Sequence, residues 1–190
     1  MIARAVLGFV VGISLLGCNK QSSEASSSEG APGKSTEPAL IAGAAPGPAG
    51  YKWERVTRGA AGSVEVPSGE GWKKEDGSGL EISNEQLGVT VMVQTQSGIP
   101  GEARDEYLKS FVDVNKRDAP KYAVVAQKVG QVQAQPAGLV DGKFDNGTAF
   151  ATRDYVLFAK NNAFSVMVRG PVTREADVYA ISDHVAGSYQ

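Results

Sequence analysis

Residues 148–169 have the sequence TAFATRDYVLFAKNNAFSVMVR, and this stretch decides the fold class. Two apolar runs flank Asn161-Asn162, a short polar pair of the kind that connects antiparallel strands. In the second run, alternate residues are apolar and share one face of a strand: Phe164, Val166 and Val168. The residues on the other face are predicted to be partly covered: Ser165, Met167 and Arg169. The stretch therefore predicts a long antiparallel hairpin with strands at 148–160 and 163–169.

Shorter strand signals lie on the amino-terminal side of this hairpin. They cover residues 51–56, 63–66, 80–83, 88–95, 122–129, 131–135 and 139–144. The strongest of them is 88–95, in which three valines at alternate positions share one face. Most of these segments follow one another without an intervening helix, which is typical of antiparallel sheets.

Two further segments show helical periodicity instead. Residues 102–117 carry apolar side chains at helical spacing, with acidic residues early and Lys116-Arg117 late, as the helix dipole favours. Thr173 is suited to cap a second helix that extends to about Gly187. The sequence thus predicts an α+β domain over 51–190, in which a central antiparallel β-sheet is flanked by helices.

The order of these elements resembles the PsbP-like fold, which is shared with the Mog-type Ran-binding proteins and many small bacterial lipoproteins. The features that match are Val64-Glu65-Val66-Pro67 followed by Gly71-Trp72, the helix after a Val-rich strand, the hairpin at Asn161-Asn162, and a last helix ending at Ser188-Tyr189. The resemblance covers about residues 51–190 and implies an α/β/α sandwich. Because members of this fold do unrelated jobs, it implies no activity and no functional residue.

The amino terminus is predicted to be an export signal. Arg4 and the terminal amine provide a positive end, and residues 5–16 are almost wholly apolar. This run of about a dozen residues matches the ~7–15 of a signal-peptide core and falls short of the ~20 needed to span a membrane. Residues 1–17 are therefore interpreted as a signal peptide and not as a stable anchor.

The end of this segment, Leu15-Leu16-Gly17-Cys18, resembles the lipobox of bacterial lipoproteins and holds the only cysteine of the chain. The resemblance implies that Cys18 receives a diacylglyceryl group and that a peptidase cuts before it. Two or more acyl chains hold a protein stably on a bilayer. Asn19 favours sorting to the outer membrane, facing the periplasm, over retention at the inner membrane. An ordinary signal peptide followed by an unmodified cysteine is the alternative.

Residues 18–50 are predicted to be a disordered linker that begins with the lipidated Cys18. They consist mainly of Ser, Gly, Ala and Pro, with no periodicity and no aromatic residue before Tyr51. Such a segment cannot bury enough apolar area to offset its chain entropy. A coil of about 32 residues of this kind spans roughly 30 Å, which lets the domain sit off the bilayer.

The chain shows no recognisable catalytic constellation. Ser182, Asp183 and His184 are neighbours on one predicted helix, so their side chains point in different directions and cannot form a triad by themselves. His184 is expected to be an exposed or boundary residue. Residues 141–147 resemble a calcium loop but lack ligands at its third and twelfth positions. We therefore expect no enzyme activity, no cofactor and no metal, and core roles for the aromatic residues Trp53, Trp72, Tyr107 and Phe111.

Composition and anchor together indicate a function class. The net charge of −2 gives no field that would draw the protein to nucleic acid. We expect a lipid-anchored cell-envelope protein that binds or supports an envelope protein partner without catalysis. Two alternatives remain open at this point: a small-ligand carrier or enzyme that uses a pocket beside the sheet, and a structural or stress-response lipoprotein.

Overall fold

The computed structural model describes residues 37–41 and 45–190, which belong to one compact unit, Glu37–Gln190. The predicted signal peptide, the Leu15-Leu16-Gly17-Cys18 motif and most of the predicted linker lie outside the described residues. The fold class is the predicted one. It is α+β, with an antiparallel seven-stranded sheet and two α-helices.

Nine strands and two α-helices follow one another along the described chain. The strands are β1 Lys52–Thr57, β2 Ser63–Ser68, β3 Trp72–Asp76, β4 Leu80–Asn84, β5 Val89–Ser97, β6 Ala123–Val132, β7 Gln135–Asp145, β8 Ala149–Ala159 and β9 Asn162–Pro171. The helices are α1 Arg104–Asp118, between β5 and β6, and α2 Glu175–Gly187, after β9. The main sheet has the order β3-β4-β5-β9-β8-β7-β6, while β1 and β2 form a separate ribbon.

The larger core lies between the main sheet, α2 and the β1–β2 ribbon. Val64 and Val66 of β2 are fully buried there, as are Val178, Ile181 and Val185 of α2. The hairpin of β8 and β9 supplies the centre of this core, because the predicted face of β9 is buried along its whole length: Phe164, Val166 and Val168. The ribbon is joined to the end of α2 by the amide of Glu65, which donates to Ser188 Oγ over 2.7 Å.

A smaller core lies on the opposite face of the sheet, under α1. Its members from α1 are Tyr107, Leu108, Phe111 and Val112, and its members from the sheet include Val140, Val156 and Phe158. Leu108 reaches down to Gly138 of β7, where a Cβ atom would collide with the Leu108 side chain. A glycine at this position therefore sets how closely α1 approaches the sheet.

Several predicted boundaries are wrong in detail. The hairpin turn is Lys160-Asn161 and not Asn161-Asn162; both turn residues have positive φ, as a type I′ turn requires. The predicted strand 131–135 is instead a hairpin turn: β6 continues to Val132, Gln133-Ala134 turn at positive φ, and β7 begins at Gln135 and includes the predicted strand 139–144. Thr173 does not cap α2; it lies in a short 3₁₀ turn, and the helix begins at Glu175.

Part of the segment predicted as linker is packed against the domain. Residues 38–40 run parallel to the end of β6, where the Leu40 amide donates to Gln131 O over 2.8 Å and the Gln131 amide donates to Pro38 O over 2.9 Å. Glu37 forms an ion pair with Arg104 at 2.7 Å. The compact unit therefore begins before Tyr51, the boundary that composition indicated.

Candidate functional site

Helix α1 covers only part of its side of the sheet. It packs over β7 and β8, so side chains on the same face of β9, β5 and β4 are left half-buried. We call this surface the open sheet face and define it by seven half-buried residues. They are Glu81, Ser83, Thr90, Met92, Gln94, Met167 and Arg169. The strands beneath are fixed by the buried valines on their other face, so the surface is rigid.

A row of hydrogen-bond donors crosses this face at right angles to the strands. The register pairs Ser83 with Thr90, Thr90 with Arg169, and Arg169 with Thr152 of β8. Directly opposed residues in an antiparallel pair have Cβ atoms about 4.5–5.5 Å apart. Hydroxyl groups thus flank Arg169 on both sides.

Arg169 has no hydrogen bond or ion pair within the described residues. Each of the other arginines in this part of the chain forms an ion pair: Arg55, Arg58, Arg104, Arg117, Arg153 and Arg174. Arg169 lies on the inner strand β9, where its guanidinium offers five donors and no acceptor. A half-buried, unpaired guanidinium on a rigid strand is a group that an anion can satisfy.

The row continues into a recess between α1 and β8. Three buried side-chain atoms there have no hydrogen-bond partner within the described structure: Asn115 Nδ2, Tyr122 Oη and Thr152 Oγ1. Tyr122 lies over Gly142, whose missing side chain leaves room for the phenol ring. Gly142 is paired with Thr152, so Tyr122 stands on one side of Thr152 and Arg169 on the other. Thr152 and Asn115 lie close enough to Tyr122 for hydrogen bonding to oppose the rise that burial gives its pKa, and all three atoms are closed to solvent, so the recess is a packed polar contact.

Asp154 is the acidic group of the recess. It is 4% exposed and lies on the same face as Thr152, two residues along β8. Burial raises the pKa of Asp154 to about 8; the nearby Thr152 hydroxyl, as a side-chain hydrogen-bond donor, opposes the shift, the charge of Asp141 adds to it, and the charge of Arg169 opposes it. At neutral pH the Asp154 carboxyl therefore holds its proton and does not offset the charge of Arg169. Burial and the charge of Asp154 also raise the pKa of Tyr122, which stays a neutral donor.

Two methionines lie beside the donor row. Met92 of β5 and Met167 of β9 are directly paired, and the Gln94 side-chain amide contacts Met92 Sδ at 3.2 Å. Met167 also packs against the small core under α1. Unbranched thioether side chains adapt to irregular apolar partners. The open sheet face therefore presents an apolar patch next to a cationic, hydroxyl-rich row.

The charged cluster on the other face of the sheet is fully paired. Arg153 makes hydrogen bonds of 2.8 and 2.9 Å to Asp141 and two of 3.1 Å to Asp183. Its guanidinium lies 3.9 Å from the Tyr179 ring centroid, and the Tyr155 hydroxyl donates to Asp183 over 2.8 Å. Burial by itself lowers the pKa of Arg153, but Asp141 and Asp183 together raise it above its ordinary value. These contacts fasten α2 to the sheet.

His184 lies at the boundary between α2 and the β1–β2 ribbon. Its Nε2 is 3.1 Å from Glu65, its Nδ1 is 2.7 Å from the Ala45 carbonyl oxygen, and its ring lies 3.9 Å from the Trp53 ring. Asp183 turns instead toward Arg153, and Ser182 donates to the Arg153 carbonyl over 2.8 Å. The three neighbours thus point in different directions, as the sequence predicts.

The aromatic residues assigned to the core divide into two groups. Tyr107 and Phe111 of α1 are buried in the smaller core. Trp53 and Trp72 are half-buried at the edge of the larger core, where each ring lies against Tyr51.

In the described part of the chain, no group of three or more His, Cys, Asp or Glu side chains could hold a metal ion. No helix among the residues described here is long and apolar enough to cross a membrane.

Comparison of the whole fold with solved structures finds several similar proteins. The Ran-binding protein Mog1p of Saccharomyces cerevisiae matches 74% of this chain and 95% of its own, with a TM-score of 0.53 and 11% identity. The cyanobacterial PsbP protein CyanoP of Synechocystis matches 73% of this chain and 91% of its own, with a TM-score of 0.55 and 11% identity.

A third similar structure is that of a mycobacterial protein. LpqN of Mycobacterium tuberculosis, involved in cell envelope biogenesis, matches 74% of this chain and 91% of its own, with a TM-score of 0.51 and 10% identity. No family model and no curated protein sequence matches the chain. At these identities the similarity establishes a Mog1/PsbP-like fold and leaves function to be argued from the surface.

Proposed function

We propose that this protein is a lipid-anchored component of the cell envelope whose domain binds a partner through the open sheet face, without catalysis. The single observation that carries the proposal is Arg169, the unpaired guanidinium on an inner strand. A half-buried, unpaired arginine of this kind gains from a bound ligand and contributes no ion pair to the fold. A rigid sheet presenting polar groups beside an apolar patch is typical of binding surfaces.

The location rests on the amino-terminal sequence. Acylation of Cys18 after cleavage at Leu15-Leu16-Gly17 would hold the protein on a membrane, and Asn19 favours the periplasmic face of the outer membrane. The shared fold of LpqN, a protein involved in cell envelope biogenesis, supports an envelope role. The partner we propose is an envelope protein.

A small-ligand carrier is the second candidate function. It is favoured by the pair Met92 and Met167 beside Arg169, which together match a single small ligand with one charged and one apolar end. The two candidates share one surface, and they differ in the size of the molecule that occupies it.

Photo-crosslinking in intact cells tests the proposed function. A photoreactive phenylalanine analogue placed at Gln94, on the open sheet face, is expected to yield a discrete crosslinked species that contains one envelope protein. The matched control is the same analogue at Lys109, an exposed residue on the outer side of α1, which is expected to give at most a tenth of that yield. Equal yields at both positions, or no crosslinked protein from Gln94, would contradict the proposal.

A further inference from the structure

We propose that the open sheet face contains a binding subsite for a carboxylate group, held by Arg169 and Thr90, in a ligand whose adjoining apolar part lies on Met92 and Met167. The inference rests on the proposed function and specifies the chemistry that this surface recognises. The carboxylate is a side chain or chain end of the proposed envelope protein, and small carboxylic acids serve as probes of the subsite.

The donors of the subsite come from separate elements that the fold brings together. Arg169 is on β9 and Thr90 is on β5. The two residues are directly paired and both are half-buried, so their donors reach solvent. Both groups can donate, and an ionised carboxylate only accepts hydrogen bonds.

The charge balance favours a carboxylate over a phosphate. Arg169 is the one unpaired guanidinium of the described chain, and acidic groups lie close by, Asp154 in the recess and Glu81 beside Met92. A single negative charge matches Arg169 in a planar, bidentate arrangement. A phosphate dianion would bring a second negative charge toward Glu81, whereas Asp154 carries no charge at neutral pH.

The methionine pair defines the rest of the ligand. Met92 and Met167 lie in the row next to Arg169, so an alkyl group attached to the carboxylate reaches them within a few carbon atoms. Burying a methylene group on an apolar surface is worth up to about a factor of four in affinity. Butyrate is therefore expected to bind severalfold tighter than acetate.

Asp154 makes the affinity dependent on pH. Three charged or titratable groups act on it: Asp141, whose side chain is on the opposite face of the sheet, Arg169 on the neighbouring strand β9, and Tyr122, which precedes β6. Below its pKa of about 8, Asp154 is neutral and tolerates a neighbouring anion; above that value it is ionised and repels the anion. Affinity is expected to fall as the pH rises from 7 to 9.

Nuclear magnetic resonance titration of the full chain in detergent measures these effects through the Arg169 Nε–Hε signal. Acetate, butyrate and inorganic phosphate are added at constant ionic strength. The expected result is a saturable shift with acetate, at least threefold tighter binding of butyrate, and phosphate binding no tighter than acetate.

Arg169→Gln should weaken butyrate binding at least tenfold, whereas the control Lys109→Gln should not change it. Asp154→Asn should keep binding and remove its pH dependence.

Each contrary outcome overturns a defined part of the inference. A shift that does not saturate with any of the three anions, or butyrate binding that survives Arg169→Gln, refutes the subsite. Tenfold tighter binding of phosphate refutes the carboxylate class. If these titrations fail while the Gln94 crosslink persists, the proposed function stands and the ligand chemistry is wrong. If the crosslink also fails, the proposed function is wrong as well.

Discussion

Replacement of Cys18 by Ala abolishes incorporation of an alkyne-labelled fatty acid and leaves uncleaved precursor. This is the expected result because Cys18 supplies the only thiol in the chain, and no other side chain can form the thioether to diacylglycerol. The peptidase that cuts before a lipobox cysteine requires that lipid. The measurement is in-gel fluorescence of the labelled protein, together with its apparent mass and its distribution between membrane and soluble fractions.

The matched control for this prediction is Asn19→Asp. This variant is expected to remain labelled and mature-sized, because the thiol and Gly17 are intact. In a host with enterobacterial sorting it moves from the outer to the inner membrane fraction. Labelled, mature-sized protein from the Cys18→Ala variant would show that the lipobox interpretation is wrong.

Replacement of Arg153 by Met lowers the free energy of unfolding by about 3–5 kcal/mol, the range expected when one partner of a buried ion pair is removed. Asp141 and Arg153 are 8% and 18% exposed at their side chains, so water compensates little for the lost contact. Asp183 and the Tyr179 ring lose the same guanidinium, and with it α2 loses a link to the sheet. Urea unfolding followed by tryptophan fluorescence measures the change.

Two further variants separate charge from packing in this prediction. Arg153→Met combined with Asp141→Leu is expected to recover much of the loss, because the buried Asp141 carboxylate is removed and Asp183 keeps the hydrogen bond from Tyr155. Arg117→Met removes an arginine whose partner Asp118 is its neighbour on the surface of α1, and is expected to leave the unfolding midpoint unchanged. A full loss in the double variant would mean that the guanidinium acts through its packing.

The sequence predicts the centre of this fold well because burial there follows simple alternation. Phe164, Val166 and Val168 are buried, and Met167 and Arg169 on the other face are half-covered, as the pattern indicates. Residues 102–117 form the predicted helix to within two positions at each end. In these segments the periodicity of apolar residues and the tertiary packing demand the same structure.

The predicted elements fail where local preference and tertiary structure disagree. Gly130 interrupts the strand pattern, yet β6 continues through it because Leu40 and Pro38 pack against its bare backbone. The turn then falls at Gln133-Ala134, which carries none of the usual turn residues. Trp72–Asp76 lacks an alternating apolar pattern, yet it forms β3, a strand with four exposed residues that pairs only at the sheet edge.

The candidate site could not be located from the sequence for a different reason. Asn115, Tyr122, Thr152 and Arg169 belong to different elements, and no spacing in the chain relates them. Only the register of β7, β8 and β9 and the small area covered by α1 bring them together. The one signal in the sequence is the second face of the last hairpin strand, with Ser165, Met167 and Arg169. It predicts that these side chains are partly buried, but it does not indicate which residues of other strands lie beside them.

The central claim is that the open sheet face is occupied in the cell, and methionine oxidation measures this directly. Met92 and Met167 are the only methionines after Met1, and both lie on that face. Intact cells and a dilute detergent lysate are treated briefly with the same dose of hydrogen peroxide, and sulfoxide at each methionine is quantified by mass spectrometry. The account predicts that Met92 is oxidised at least threefold more slowly in intact cells than in the lysate. Equal oxidation of Met92 in both samples would contradict it.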